Sequence, residues 1–432
     1  MSDLLAARSQ MAISLAFHII FAIVGVGMPA LMVIAESQWR KTGDSVYLDL
    51  AKRWARGTAI MFAVGAVSGT VLSFELGLLW PRFMQYAGGI IGMPFSLEGF
   101  AFFTEAIFLG VYLYGWDRIG PKMHLAAGWL VALSGVLSAI FVVDANAWMN
   151  TPVGFRIDHG LITDVHPFAA MANPAALGET LHMTLAAYAS LGMAVAGLHA
   201  FLLRRQPTNG FHKRALIVAL MVGAPAAILQ PISGDLAGRV VADTQPVKLA
   251  AMEGEFKTEA EAPLRIGGIP DTAAHETRYA IDIPDGLSFM AYHDIHATVK
   301  GLDDFPHDRW PPIVIVHFAF QIMVGLGTLL AVAGVWGLWA LIRRREFGKW
   351  LLMALSIATP LGFICVEAGW TVTEVGRQPW IVSGILRTAD AVTPMPGLIV
   401  PFLVFTTLYV FLGVIVTWLM YQQVVRSPHP VD

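Results

Sequence analysis

His18, His182, Met323 and Glu374 are the residues from which chemistry is read first. Each lies within a long apolar stretch of the chain or about one turn beyond its end. Imidazole, thioether and carboxylate groups are all iron ligands. Ionisable side chains in such stretches are costly and mark function by default; the others here are Glu75, Glu98, Glu105, Asp144, His199, His317 and Glu367. A single histidine in this setting more often bonds a neighbouring helix than a metal, and Met323 is one of 19 methionines. Four potential metal ligands share one depth. Counting about 20 residues from the basic end of each stretch, at about 1.5 Å per residue, puts His18, His182, Met323 and Glu374 in one layer about 6 Å thick. A His/Met pair is one way to hold a six-coordinate heme. Coincident depth alone does not select heme over another cofactor.

Glu98 and Glu105 are seven residues apart, two helical turns, and so share a helix face. Glu105 lies about 10 Å deeper than Glu98 at the same rise per residue. Two carboxyls on one face at different depths suit a proton relay. The plainer alternative is a pair of neutral acids that cement the bundle. Asp144 and Asn146 either extend this polar track or meet water at the interface.

The elements that position these groups follow from composition. Of the 432 residues, 56% are hydrophobic and 14% are charged, where soluble chains carry about 25% charged residues. Mean hydropathy is +0.62. The single cysteine, Cys365, excludes an intrachain disulfide framework, a cysteine-ligated iron–sulfur cluster and a covalently attached c-type heme. Nine stretches are long and apolar enough, or nearly so, to cross a bilayer: 11–36, 57–80, 94–116, 123–148, 180–203, 215–232, 311–342, 350–370 and 397–420. The first is too long for a signal-peptide core and is expected to be a retained helix. The sixth is the weakest, being short and carrying Pro225 and Pro231. Basic residues cluster at Arg40–Arg56, Arg118–Lys122, Arg204–Arg214 and Arg343–Lys349, whereas the opposite short loops hold only Arg82, Arg156, Arg377 and Arg387. The positive-inside rule then predicts the N-terminus outside and the C-terminus in the cytoplasm. The fold class expected is an all-α integral membrane protein, one domain over 1–432, with an outer loop over 235–310. That loop carries 14 acidic and 7 basic residues, and loops this long are usually functional or disordered. No internal repeat supports an inverted-repeat transporter.

Several segments together resemble subunit I of cytochrome bd-type quinol oxidases, from the first helix to the last. Arg8 and His18 lie in RSQMAISLAFH, and Glu98 and Glu105 in SLEGFAFFTEAIFLGVYLYGWDR. ANAWMNTP spans Ala145 to Pro152, and His182 lies in LHMT. Gly234 and Asp235 precede QPVKLAAMEGEF, which holds Lys248 and Glu253. Met323 lies in FQIMVG, and EAGWTVTEVGRQPW runs from Glu367 to Trp380.

The resemblance implies three hemes without covalent attachment. His182 and Met323 would ligate a low-spin heme b. His18 and Glu374 would each hold one of a high-spin pair, heme b and heme d (or a second high-spin heme b in its place), in an order left open. It implies that Lys248 and Glu253 serve quinol oxidation, that Glu98 and Glu105 deliver protons, and that Arg8, Trp370, Arg377 and Trp380 line the heme sites. The short loop resembles the branch that includes cyanide-insensitive members. The implied partners are a second membrane subunit, membrane quinol, oxygen and the lipid bilayer, with no nucleic acid. The implied location is a bacterial or archaeal cytoplasmic (inner) membrane.

One departure touches the electron path. The family usually has arginine two residues before the ligand methionine; this chain has Gln321. Losing that charge beside a heme propionate predicts a lower low-spin potential. Glu75 and Asp144 also stand where neutral residues are expected. A bd-like oxidase with a non-quinol donor or without heme d, a b-type cytochrome that only relays electrons, and a heme-free proton-coupled transporter remain open as alternatives.

Overall fold

The computed structural model describes residues 1–424. Among them, nine helices are long and apolar enough to span a membrane: Asp3–Thr42, Ser45–Leu79, Pro81–Tyr114, Pro121–Asn150, Ala176–Arg205, Gly210–Thr244, Ile313–Ile342, Lys349–Gly376 and Ile399–Gln423. They are named here first to ninth. Their ends are set by local chemistry. Ser2 caps the first helix by accepting from Leu5 N at 3.3 Å, and Gly43, at φ 73°, ends it in the left-handed region that glycine tolerates best. Asn209 caps the sixth, accepting from the backbone N–H groups of Phe211 and His212.

Most helices overrun the apolar stretches that announce them. The sixth, expected to be short, has 35 residues. Pro225 and Pro231 lie inside it without ending it, as membrane helices allow. It therefore continues to Thr244, so residues 235–244 of the expected outer loop are helical. The eighth is divided into Lys349–Ala358 and Leu361–Gly376. Pro360 sits at the break and has no backbone N–H to give.

The first and fifth helices form the centre, with 61% of each apolar window buried, against 11% for the second and ninth and 17% for the third. Small residues allow the central approach. A methyl group on Gly192 of the fifth helix would lie 2.4 Å from Gly223 Cα of the sixth, so these backbones pack at a distance only glycine permits. The flanks are apolar and open: Phe74, Leu78, Phe100 and Phe103 are all exposed.

The segment from 245 to 312 is ordered. It begins with a short helix, Pro246–Glu253, in which Lys248 to Glu253 are all buried. An antiparallel hairpin follows, Leu264–Asp271 paired with Glu276–Ile283. Ala250, Ala251, Met252 and Phe256 join Ile313, Val316 and Ala319 of the seventh helix in one apolar cluster. The segment is thus packed onto the bundle.

Candidate functional site

His18 and His182 are seated alike. His18 Nδ1 lies 2.9 Å from Ser68 Oγ of the second helix, and that hydroxyl also lies 3.0 Å from Val64 O and 3.1 Å from Gly65 O. A hydroxyl carries one proton. Directed at a backbone carbonyl, it leaves the serine oxygen to accept Nδ1–H of the imidazole. His182 Nδ1 lies 2.9 Å from Ser233 Oγ, which donates to Gln230 O at 2.9 Å. In both cases the assigned tautomer leaves Nε2 unprotonated, which is how an outer hydrogen bond prepares a metal-binding imidazole. Each serine is followed by a glycine that makes room for the ring. A methyl group on Gly69 would meet His18 Cε1 at 2.9 Å, and one on Gly234 would meet His182 Cε1 at 3.3 Å. Gln230 Nε2 stands 3.1 Å from His182 Nε2. The same nitrogen donates to His182 O at 3.1 Å, and Gln230 Oε1 is buried with no partner among the described residues, so this donor has to leave His182 Nε2 before that nitrogen takes a ligand.

Met323 lies half-buried on the seventh helix. A methyl group on Gly369 of the eighth would fall 2.8 Å from its sulfur. Glu374, in the last turn of the eighth helix, is held at both oxygens. Asn146 Nδ2 donates to Oε1, and Arg377 Nη2 donates to Oε2 at 2.6 Å.

These residues fit hemes by two observations. The donor set is two imidazoles, a thioether and a carboxylate, each on its own helix. In addition, polar donors lack partners. Trp370 Nε1 and Arg377 Nε are buried without one among the described residues, and half-buried Arg8 has neither hydrogen bond nor ion pair there. An unmet buried donor costs about 1–3 kcal/mol, and heme propionates are acceptors for such groups. Trp380 is placed differently. Its ring carries the Arg387 guanidinium at 5.2 Å, in a short strand, Trp380–Val382.

The carboxylates of the third helix keep their shared face. Glu98 Oε1 accepts from Ser138 Oγ of the fourth helix at 3.1 Å. Glu105 is buried, with Oε1 unpartnered among the described residues. Methyl groups on Gly25 and Gly135 would lie 3.6 and 3.4 Å from that oxygen, so the first and fourth helices leave it a slot. Glu75 Oε1 accepts from Gln10 at 2.8 Å and Ser14 at 2.9 Å, and its Oε2 is buried without a partner among the described residues. Asp144 accepts from Asn173 at 3.2 Å.

In the 245–312 segment, Lys248 Nζ donates to Asn150 Oδ1 at 2.8 Å. Burial pulls its ammonium below the usual lysine range, against the opposing pull of Glu179. Glu253 is buried and its carboxyl is pushed up to about 8, burial outweighing the nearby Arg265 guanidinium. Gln321, expected beside the heme, faces the hairpin. Its Oε1 accepts from Gly267 N at 3.0 Å and its Nε2 donates to Arg265 O at 3.0 Å. Both ends of the amide are used in seating the segment. His317 has ring nitrogens 2.9 Å from Met252 O and 3.1 Å from Gly267 O.

The structure thus brings Lys248, Arg377 and Glu374 into one network, and leaves Arg8, Trp380 and the Glu98/Glu105 face apart from it. Ser68, Gly69, Ser233, Asn150 and Glu179 do not stand out in the sequence. The Ser-Gly dipeptides at 68–69 and 233–234 are a readable signal, but only the packing pairs each with its histidine.

The family model for cytochrome bd terminal oxidase subunit I matches residues 6–428. The chain belongs to the cytochrome bd terminal oxidase subunit I family. It is 38% identical over 438 residues to a putative cytochrome bd menaquinol oxidase subunit I of Bacillus subtilis, covering 100% of this chain and 98% of that one. It is 32% identical over 443 residues to the cytochrome bd ubiquinol oxidase subunit 1 of the same organism, covering 99% and 94%. The solved bd oxidase of Geobacillus thermodenitrificans contains a chain that superposes with a TM-score of 0.93 at 37% identity, covering 99% of both. As a cytochrome bd subunit I, the chain is a heme-bearing, multi-pass membrane subunit of a respiratory oxidase.

Proposed function

We propose that this subunit oxidises membrane quinol at the face bearing the 245–312 segment and passes the electrons to oxygen, with protons for water drawn from the opposite, cytoplasmic face. Quinol is named in the relatives above. The observation that carries the site assignment is the pair of serine–glycine seats that leave Nε2 of both histidines unprotonated. His182 and Met323 would hold a low-spin heme b. His18 and Glu374 would each hold one of a high-spin heme b and a heme d, or two high-spin hemes b. Bound there, the hemes supply one-electron transfer and the iron at which oxygen is reduced.

The chain's own groups do the rest. Glu253 takes a proton from a quinol hydroxyl, and Lys248 donates to a quinol oxygen. Each quinol yields two protons and two electrons, so two quinols supply the four electrons that convert one oxygen, with four protons, to two waters. Glu105 and Glu98 pass those protons along one face of the third helix, and Ser138 fixes the second of them. Asn146 and Arg377 orient Glu374; Arg8, Trp370 and Arg377 offer donors to heme propionates. The segregated basic residues support the orientation, with the segment outside. The exposed apolar flanks of the second, third and ninth helices suit lipid and a second membrane subunit. The setting is a bacterial cytoplasmic membrane.

A reduced-minus-oxidised spectrum of the purified complex, with quinol-driven oxygen uptake, tests this. Low-spin and high-spin heme bands with quinol-dependent uptake are expected. A complex without heme bands sinks the oxidase reading, and one with bands but no response to quinol sinks the donor.

A further inference from the structure

We propose that Asn150 and Glu179 are positioning residues of the quinol site: together they clamp Lys248 against the start of the helix that carries His182. This rests on the quinol reading of Lys248. Asn150 ends the fourth helix and is 2% exposed. Its Oδ1 accepts from Lys248 Nζ at 2.8 Å and from Arg377 Nη1 at 3.4 Å. Its Nδ2 donates to Glu179 Oε1 and to Asn146 Oδ1, both at 3.2 Å. Both amide protons and both oxygen lone pairs are therefore used, which no carboxylate or hydroxyl at this position could reproduce.

The partners lie on three separate elements. Glu179 is in the first turn of the fifth helix, three residues before His182. Arg377 follows the eighth helix and bonds Glu374. Lys248 comes from the short helix of the 245–312 segment, and its stem lies against Gly376, where a methyl group would meet Lys248 Cγ at 3.0 Å. The charged groups that face one another here are Lys248, Arg377, Glu179 and Glu374, two cations and two anions. Buried charges persist when they are paired and hydrogen-bonded in this way. The clamp fixes the lysine relative to the helix of His182, so a donor bound at Lys248 is held at a constant distance from the group that receives its electrons.

The test uses the complete oxidase carrying Asn150→Ala or Glu179→Gln. Quinol-dependent oxygen uptake gives KM and kcat, and rapid mixing compares heme reduction by quinol with reduction by dithionite. The clamp predicts that either change raises the quinol KM about tenfold and slows quinol-driven reduction about tenfold, the scale of one lost hydrogen bond to a charged group. Heme bands and dithionite reduction should be unchanged, and Asn150→Gln should recover part of the loss. Wild-type KM and reduction rate in both variants overturn the clamp. If Asn150→Ala loses heme, Glu179→Gln decides, and a normal quinol KM there overturns it. A wild-type complex that carries heme and reduces with dithionite but not with quinol overturns the quinol reading and the clamp with it.

Discussion

His18 and His182 stand in nearly the same surroundings, yet they are expected to serve hemes of different kinds. Each Nδ1 is 2.9 Å from a serine hydroxyl, and each ring lies over the glycine that follows that serine. One seat joins the first and second helices, the other the fifth and sixth. Because the imidazole sides are so alike, the difference between an electron carrier and an oxygen site has to come from the other side of each heme. There the low-spin site would have Met323, placed against Gly369 by the seventh and eighth helices. Two smaller differences remain: the fit is tighter at Gly69 than at Gly234, and Gln230 lies only beside His182.

The largest test of this comparison removes the ligands. His18→Ala and His182→Ala should each cut quinol-driven oxygen uptake by about a hundredfold or more, the upper end of what losing an outer metal-site contact costs. Only His182→Ala should lose the low-spin band. Met323→Leu should erase the six-coordinate signature while leaving oxygen-reactive heme; an unaltered low-spin spectrum would place the asymmetry elsewhere. Next come the glycines. Gly69→Ala forces a methyl group to 2.9 Å from the ring and should cost about 1–3 kcal/mol, as overpacking does. At 3.3 Å, Gly234→Ala should cost less, and equal losses of heme on mild heating would show that the two seats are equally tight. Ser68→Ala and Ser233→Ala release the tautomer and should weaken heme retention about tenfold each; heme titration of the washed complex measures it.

The 245–312 segment, if it binds quinol as proposed, should answer to pH where the seats do not. Glu253 is raised to about 8, so its ionised form, the one that can take a proton from quinol, grows as pH rises through that value. Turnover at saturating quinol should climb severalfold between pH 7 and 9, and Glu253→Gln should flatten the profile. The sign for stability is opposite. A carboxyl raised above its unfolded value favours the folded segment below the unfolded value and withdraws that contribution as pH passes about 8. The smallest effect is expected at Gln321. Gln321→Arg adds a charge near the low-spin site and should raise its midpoint by tens of millivolts, taking a separation of about 10 Å and an effective dielectric of about 20. A spectroelectrochemical titration with no upward shift would break the link between this position and the heme.

Much of the frame was legible because a bilayer demands long apolar runs, and nine such runs are conspicuous. Their ends were not, because a helix continues past the hydrocarbon wherever caps and neighbours support it. The sixth helix shows the cost of that ambiguity. Reading its apolar core as 215–232 leaves Ser233 and Gly234 at the edge of a loop, whereas the helix runs on to Thr244 and these two residues hold His182. Residue types and depth single out His18, His182, Met323 and Glu374. Which serine, glycine or asparagine supports each depends on contacts between helices far apart in sequence, such as Asn146 with Glu374, and periodicity carries no trace of them. Gln321 was readable as an absent charge, but not as the residue that grips the hairpin.

That grip has a consequence for how the segment responds to salt. Gln321 holds Arg265 O and Gly267 N through bonds between neutral groups, and dissolved ions screen charges rather than such bonds. The rim of the segment is tied differently, by the exposed pair Arg387 with Asp308. Rising ionic strength should loosen the rim while the root of the hairpin stays seated, so the segment yields from its edge inward and its register over the bundle is kept.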